Sequence, residues 1–518
     1  MNIEQAFNVT FKLIFGECNL KLDDLAEYMQ RWHYPIHMRK SSVSGREVAL
    51  STRFYRKDAT YVSQDEMNFS RKYALDVNKI RDIDSILEQI QDRTYYAGNK
   101  SFGSSSELED CDTCTDVTCA KAAHHISGTK YAAYCSYVRY GSEYVFGSGW
   151  FLRSKHLIRC MGADSLTRAF ECYVSPQCSD AFFCFNCWAS SHIMFSFNQR
   201  SKRYCIGNNE LPKDRYFELR KKLVDESREY LEKHKEFPSI FEPTAMTEKQ
   251  RNALLAKAPK TKEEECDLSQ INEAFKTTSR VIFGAEIGTV DENKQLLTER
   301  PDIPQEVTTF FRNNGYYPPV FFFKQIPKDR MINGEEEQVS AEAKISLSAE
   351  ESFASIIDKM GDISLYRIDM REGKISNIIK SSLIYHGINA YYVDDLTFGK
   401  NCAYCTFALT TEAVFGSFRA IHSKFCIRCE SPYNCTACFE CDSCTNCSNC
   451  YYCHNCEGCS DCMFCFNVKS LHYAIGNVEL GKEQYMKIRE MVLKELIDQI
   501  KNGKLKNDIY SLGCRKDD

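Results

Sequence analysis

No apolar run in this chain approaches the ~20 residues that span a bilayer; the longest, such as Val320 to Phe323, stop far short, and the reading is a soluble protein with no membrane partner. A secretory signal is also missing, since Met1 to Leu20 lacks a basic start and carries Glu4 and Glu17 where an apolar segment is needed. A cytoplasmic setting is therefore expected. Positive charge is not in excess: 66 Lys and Arg stand against 71 Asp and Glu, mixed along the whole length. Nothing marks an electrostatic footprint for nucleic acid. There is no Walker-type glycine loop, no GxSxG, no HExxH and no GxGxxG after a strand. Asp394 and Asp395, like the Glu335 to Glu337 run, read as solvated loop charge rather than a catalytic pair. No enzyme is expected.

Cysteine, by contrast, is abundant: 28 in 518 residues. From Cys435 to Cys465 one falls at every third position, at Cys435, Cys438, Cys441, Cys444, Cys447, Cys450, Cys453, Cys456, Cys459, Cys462 and Cys465. The phase extends back through Cys429 and Cys426, skipping only Pro432. In a reducing compartment these are thiols or thiolates rather than a disulfide scaffold.

The chain also matches itself. Shifted by 269 positions, SEYVFGSGWFLRSKHLIRC (142–160) lies on TEAVFGSFRAIHSKFCIRC (411–429), and FSFNQRSKRYCIGNNEL (195–211) on FCFNVKSLHYAIGNVEL (464–480), each with ten identities and no gap. Near the amino terminus the offset slips by one, and IEQAFNVTFKLIFG (3–16) matches INEAFKTTSRVIFG (271–284). Two tandem copies of one module account for nearly the whole chain.

This repeat weighs two readings of the ladder. Overlapping CxxC units suit zinc ions or an iron–sulfur cluster, because two intervening residues let both sulfurs reach one ion. Ligands, however, should recur in the other copy. There the positions equivalent to 429–465 read Cys160, Ala163, Leu166, Ala169, Cys172, Ser175, Cys178, Ala181, Cys184, Cys187, Ser190, Ile193 and Ser196. Their shared property is small size, which favours a packed interior with cysteine as a small buried hydrophobe. No cofactor is expected on that reading, with zinc as the alternative. Outside the ladder, Cys111, Cys114, Cys119 and His124, with His125 beside it, come nearest to a zinc pattern. The matching segment 380–392 has no cysteine and only His386.

A period of three is neither the 3.6 of a helix nor the 2 of a strand. A β-solenoid of very short strands provides it, stacking each coil on the one before. Phe170, Tyr173, Phe182, Phe183, Phe185 and Trp188, and Phe439, Tyr451, Tyr452, Phe464 and Phe466, would cover its faces or ends. Asn434, Asn446, Asn449 and Asn455 precede cysteines and suit left-handed corners, where stacked asparagines would bond to one another. Each coil region closes in Tyr-x-Ile-Gly-Asn, at Tyr204 to Asn208 and Tyr473 to Asn477, before a helix from about Pro212 to Lys235 or Lys482 to Lys501. Tyr485, Ile488, Val492, Leu496 and Ile500 form an apolar stripe suited to capping an open end. Further helices are expected around Leu22 to Trp32, Asp84 to Gln91 and Phe353 to Met360, and a strand within Arg46 to Tyr55.

The expected fold class is thus mixed α+β with a β-solenoid in two tandem copies. An α+β part (1–128), a solenoid with capping helix (129–236) and a linker (237–269) precede a second α+β part (270–398) and a second, cysteine-ladder solenoid with its helix (399–518).

The NCxxC units closing in Tyr-x-Ile-x-Asn, with Asp24, Leu25, Tyr28 and Pro35, SGREVALS (44–51) and PQEVTTFFRNNGYYPP (304–319), resemble a group of uncharacterised cysteine-rich CxxC-repeat proteins of very small bacteria and archaea and of large tailed phages. The resemblance covers both halves and brings no established activity. Its relatives usually carry CxxC pairs near the early helix, implying a zinc ribbon, and this chain has none between Leu20 and Tyr61. Some phage relatives bear an acyl-CoA-transferase label for which no residues here speak. The expected function is a structural or interaction protein, a rigid scaffold binding protein partners or itself, with a phage-particle component as one form of it. The alternatives are a zinc or iron–sulfur protein using the second ladder, and an RNA- or ribosome-associated factor using exposed Tyr and Phe as stacking platforms.

Overall fold

Backbone conformation repeats with the cysteine period. From Asp180 to Tyr204, and from His386 to Ala413, every third residue has a positive φ between 47° and 59°. Each residue so placed comes directly before one whose side chain points inward, so two extended residues and one left-handed corner make a side. A left-handed L residue costs roughly 1–2 kcal/mol. Parallel hydrogen bonds between successive turns offset that cost, as in Phe195 N to Phe182 O (2.9 Å) and Asn186 N to Tyr173 O (2.9 Å).

The structure, a computed structural model, describes residues 1–69, 71–259, 266–442 and 448–513. It is a mixed α/β architecture with two large sheets of sixteen and ten strands, parallel throughout except for a closing antiparallel pair in each. Pairing advances by twelve residues: Glu143, Lys155, Thr167, Ser179, Ser191 and Arg203 lie side by side in one sheet. Glu412, Lys424, Thr436, Ser448, Ser460 and His472 do so in the other. Asparagines at corresponding positions bond to one another, Asn377 to Asn389 to Asn401 (3.0 and 2.7 Å) and Asn455 to Asn467 (3.1 Å). Asn434 and Asn455 have φ of 53° and 50°, as corner residues should; Asn446 lies outside the described residues.

Inward residues of each stack form their own apolar core, and a second layer is laid on the outside. Phe146, Ile158, Phe170, Phe182, Met194 and Ile206, twelve residues apart, form a wall, and the helix Ile3–Phe15 lies on its first four residues. Phe7 meets Phe146 at 5.3 Å and Phe15 meets Phe170 at 4.8 Å. The helix Ser269–Phe283 lies likewise on Phe415, Ile427 and Phe439. Both helices begin from amphipathic text in which the apolar positions recur at helical spacing. The helices Lys213–His234 and Lys482–Lys501 follow the closing strands and pack on the last strand of each stack. Tyr485, Ile488, Val492, Leu496 and Ile500 are all buried there. Among the described residues, no helix is long and apolar enough to cross a membrane.

Strands in parallel register begin at Ser101 and at Met370, inside segments 1–128 and 270–398 that composition marks as α+β. After Cys111 and Cys114 the inward residues of the early turns of the first stack are Val117, Ala120, Ala123 and Ile126, so cysteine spacing does not carry through them. The segment 237–269 reads as a linker, yet Phe237, Ile240 and Phe241 are core residues and Glu248–Leu255 is helical. Prolines there shape a packed strap.

The two halves are interlocked. At the far end of the first stack, Asn198 Nδ2 donates to Leu365 O (2.8 Å) and Asn208 Nδ2 to Ala343 O (2.8 Å). Ile345 fills the space that Gly207, at φ +56°, leaves by having no Cβ. At the far end of the second stack, Asn467 Nδ2 donates to Tyr95 O (2.8 Å) and Arg93 to Gly476 O (2.9 Å). Ile90 packs against Gly476, at φ +52°, as Ile345 does against Gly207. Tyr96 OH donates to Ile509 O. Each half's smaller α+β part therefore closes the stack of the other half.

Candidate functional site in the thiol column

Nine ladder cysteines are described: Cys435, Cys438, Cys441, Cys450, Cys453, Cys456, Cys459, Cys462 and Cys465, each at most 1% exposed. Cys444 and Cys447 lie outside the described residues. The fold brings these side chains together because each follows a left-handed corner and so faces the axis of its stack. Their hydrogen bonds are regular. Cys453 Sγ faces Tyr451 O (3.7 Å) and Cys462 O (3.5 Å), and Cys456 Sγ faces His454 O (3.3 Å) and Cys465 O (3.4 Å). The other stack repeats this at Cys184, toward Phe182 O (3.4 Å) and Ile193 O (3.6 Å). A protonated thiol donates to such carbonyls; a thiolate has no proton to give. Burial pushes the thiols of Cys135, Cys178 and Cys205 up to about 12, whereas hydrogen bonds from neighbouring thiols hold Cys453 well down and Cys459 down to about 4. No described cysteine is in a disulfide.

One place in the column differs. The sulfurs of Cys435, Cys438 and Cys441 all lie within 4.8 Å of one another, and Cys435 to Cys441 is 3.8 Å. Zinc–sulfur bonds of about 2.3 Å set tetrahedral sulfurs ~3.8 Å apart, so these three would hold a soft metal ion. Among the described residues, no other three His, Cys, Asp or Glu side chains converge this closely.

Cys111, Cys114, Cys119 and His124 do not converge. Cys111 and Cys114 belong to the inner core of the first stack, whereas Cys119, at φ 60°, is a corner residue between the inward Val117 and Ala120. His124 Nε2 faces Tyr34 O at 3.0 Å, and its Nδ1 faces His125 Nδ1 at 2.9 Å. Both imidazoles are held well below their ordinary pKa, chiefly by burial.

A buried polar seam escapes sequence reading. Glu430, Asp442 and His454, twelve residues apart on one outer wall, face residues of the other half. Asp442 Oδ2 accepts from Tyr55 OH (2.6 Å) and from His454 Nδ1–H (2.8 Å), while His454 Nε2 accepts from Ala97 N (3.0 Å). Both ring nitrogens are thus committed, and the imidazole orients the interlock rather than offering a free base. Burial opposes the charge on Asp442, yet Lys100, His454 and Tyr55 hold its pKa below the carboxylate range. Asp112, in register with His124 in the first stack, is also buried but bonds within its own half, accepting from Ser51 N (2.9 Å), Ser51 Oγ (2.6 Å) and Lys100 N (2.9 Å). The twelve-residue Asp–His spacing at 112/124 and 442/454 is the signal that would have found the seam.

Of the acidic residues expected as solvated loop charge, Asp394, Asp395, Glu336 and Glu337 are held by partners instead. Asp394 is fully buried and accepts from Ser382 Oγ (2.8 Å), and burial, then the neighbouring Asp395, raises its pKa well above the carboxylate range. Asp395 accepts from Trp150 Nε1 (2.6 Å). Glu335 is exposed, but Glu336 accepts from Thr309, Asn313 and Asn333, and Glu337 pairs with Arg200 (2.9 Å) and Arg367 (2.6 Å). The partners come from distant segments, so local charge density misleads. The wall aromatics, from Phe170 to Phe185 and from Phe439 to Phe466, are buried beneath helices and the other half; Trp188 is half-buried, with Arg200 over its ring at 4.9 Å. No protein-family model, curated protein or solved structure matches this chain.

Proposed function

We propose that the chain is a non-enzymatic structural or interaction protein. Two β-solenoid arms, arising from tandem copies of one module, form a rigid scaffold for protein partners or self-assembly, of the kind a phage particle uses. The observation that carries this reading is the reciprocal closure of each stack by the other half, which makes one stiff unit from two arms. The buried charges named above hold elements together, and the imidazole of the seam has both nitrogens engaged. A repeated coil offers long outer walls, and repeat proteins use such walls to bind partners. Native purification of the full chain from its source, followed by particle imaging, tests it. The expected result is recovery within an assembly larger than one chain; a lone monomer under every lysis condition would contradict it.

The triad Cys435, Cys438 and Cys441 supports a second reading, a zinc or iron–sulfur protein. Under that reading Cys438→Ser removes bound metal and loosens the second stack, whereas under the scaffold reading it is a small-for-small exchange in a packed column.

A further inference from the structure

Between the two stacks lies a cavity of 840 Å³ walled by both halves. That volume falls within the about 300–1,000 Å³ typical of small-ligand sites. Arg139 from one stack and Arg419 from the other line it. Neither guanidinium has an ion-pair or hydrogen-bond partner among the described residues, and Arg419 Nε is buried. Arg419 is held down to about 10 by burial, with the like charge of Arg139 adding to the effect, and it remains cationic at neutral pH. The other cations on the wall are engaged: Arg153 with Asp164 (2.5 Å) and Lys469 with Glu457 (2.9 Å). The carboxylates that these guanidiniums sense do not neutralise them. Asp395 accepts from Trp150 Nε1 and acts on Arg139 only from beyond ion-pair distance, and burial lifts Glu430 to about 8, leaving it mostly protonated at neutral pH.

Two neighbouring like charges partly withdrawn from water and lacking a counter-ion are costly. An anion bridging them removes that cost, and arginine forks suit phosphate oxygens. The rim adds a flat surface. Tyr140 and Tyr433 are 54% and 37% exposed. One face of Tyr140 rests on Gly128, where an added Cβ would fall 2.6 Å from Tyr140 Cδ1, so the ring is supported from behind. We propose that this cavity binds a nucleoside phosphate, its phosphate bridging Arg139 and Arg419 and its base stacking on Tyr140.

Calorimetric titration of the full chain with adenosine diphosphate, inorganic pyrophosphate and adenosine tests this. The diphosphate and pyrophosphate are expected to saturate one site, and adenosine to bind far more weakly. Arg139→Gln and Arg419→Gln should each weaken the diphosphate about tenfold or more, and Tyr140→Ala should weaken it without affecting pyrophosphate. The Arg419 side chain makes no ion pair or hydrogen bond among the described residues and only lies over the Tyr137 ring at 6.0 Å, so Arg419→Gln should melt within a few degrees of the parent, which separates lost binding from lost folding. Absence of saturable binding by the parent protein at millimolar diphosphate, or undiminished affinity in the double arginine variant, overturns the proposal. A short single-stranded oligonucleotide binding more tightly than the diphosphate at equal salt would also overturn it, in favour of nucleic acid.

Discussion

Residues 1–236 and 237–518, produced separately, are expected not to fold, and to yield a stable complex when produced together. The reason is the exchange of closing parts. Tyr96 of the first half packs on His454 (5.2 Å) and Phe466 (5.9 Å) of the second, while Tyr366 of the second packs on Phe185 (5.1 Å) and Phe197 (5.6 Å) of the first. Phe322 of the second meets Tyr173 of the first at 5.0 Å in the same seam. Each buried aromatic contributes about 1.5–3 kcal/mol, so exposing Tyr96, Phe466, Tyr366 and Phe322 approaches the about 5–15 kcal/mol of a whole domain. Separation also leaves strand edges of both stacks open to aggregation. Co-elution and protease resistance of the co-produced halves, with aggregation of each alone, is the expected outcome. A separate half that melts cooperatively as a monomer would contradict the interlock.

Glu440→Gln is expected to destabilise the chain by about 3–5 kcal/mol, the range for breaking a buried ion pair from one side. Glu440 is fully buried and bonded to Arg428, with Arg300 at 3.2 Å. Glu299 and Asp508 reach the same guanidiniums from the less buried side, at 2.5 Å from Arg428 and 3.4 Å from Arg300. The neutral amide leaves two close, buried arginines with only those peripheral partners, and the Coulomb repulsion between them rises. The pair recurs in the first half as Arg159 and Glu171, at 3.2 Å, with Arg159 over the Tyr28 ring at 3.9 Å. Glu171→Gln should cost a similar amount. The exposed pair Lys155–Glu143, at 3.1 Å, is the control, since surface pairs contribute about 0–1 kcal/mol. Denaturant titration of the three variants checks the ranking; equal midpoints for Glu440→Gln and Glu143→Gln would refute it.

Much of the local structure was legible because it is periodic. A small residue at every third position marks the inward column, Gly207–Asn208 and Gly476–Asn477 mark its closing turns, and the charged helices after them carry a clear apolar stripe. The turns between Cys114 and Cys135 and those before Cys402 were hidden, since Val, Ala and Ile at inward positions look like ordinary strand text. The interlock was hidden for a different reason. Asn198 to Leu365 and Asn467 to Tyr95 join residues far apart in sequence, and neither partner breaks any local pattern. For the same reason Asp394, Glu336 and Glu337 looked solvated, although their partners enclose them. Arg159 and Glu171, like Arg428 and Glu440, did leave a trace: opposite charges twelve residues apart, repeated at the 269-residue offset.

The cysteine column is where the scaffold and metal readings part. If it is a packed interior, its sulfurs serve as small apolar groups that donate weakly to backbone carbonyls, and nothing need bind them. If the Cys435, Cys438 and Cys441 cluster is a ligand set, thiolate chemistry replaces packing at one level of the second stack. Elemental analysis of anaerobically purified protein, with a thiol count under denaturant, decides between them. The account predicts no stoichiometric metal and all 28 cysteines free; one or more zinc or iron atoms per chain, with correspondingly protected thiols, would contradict it.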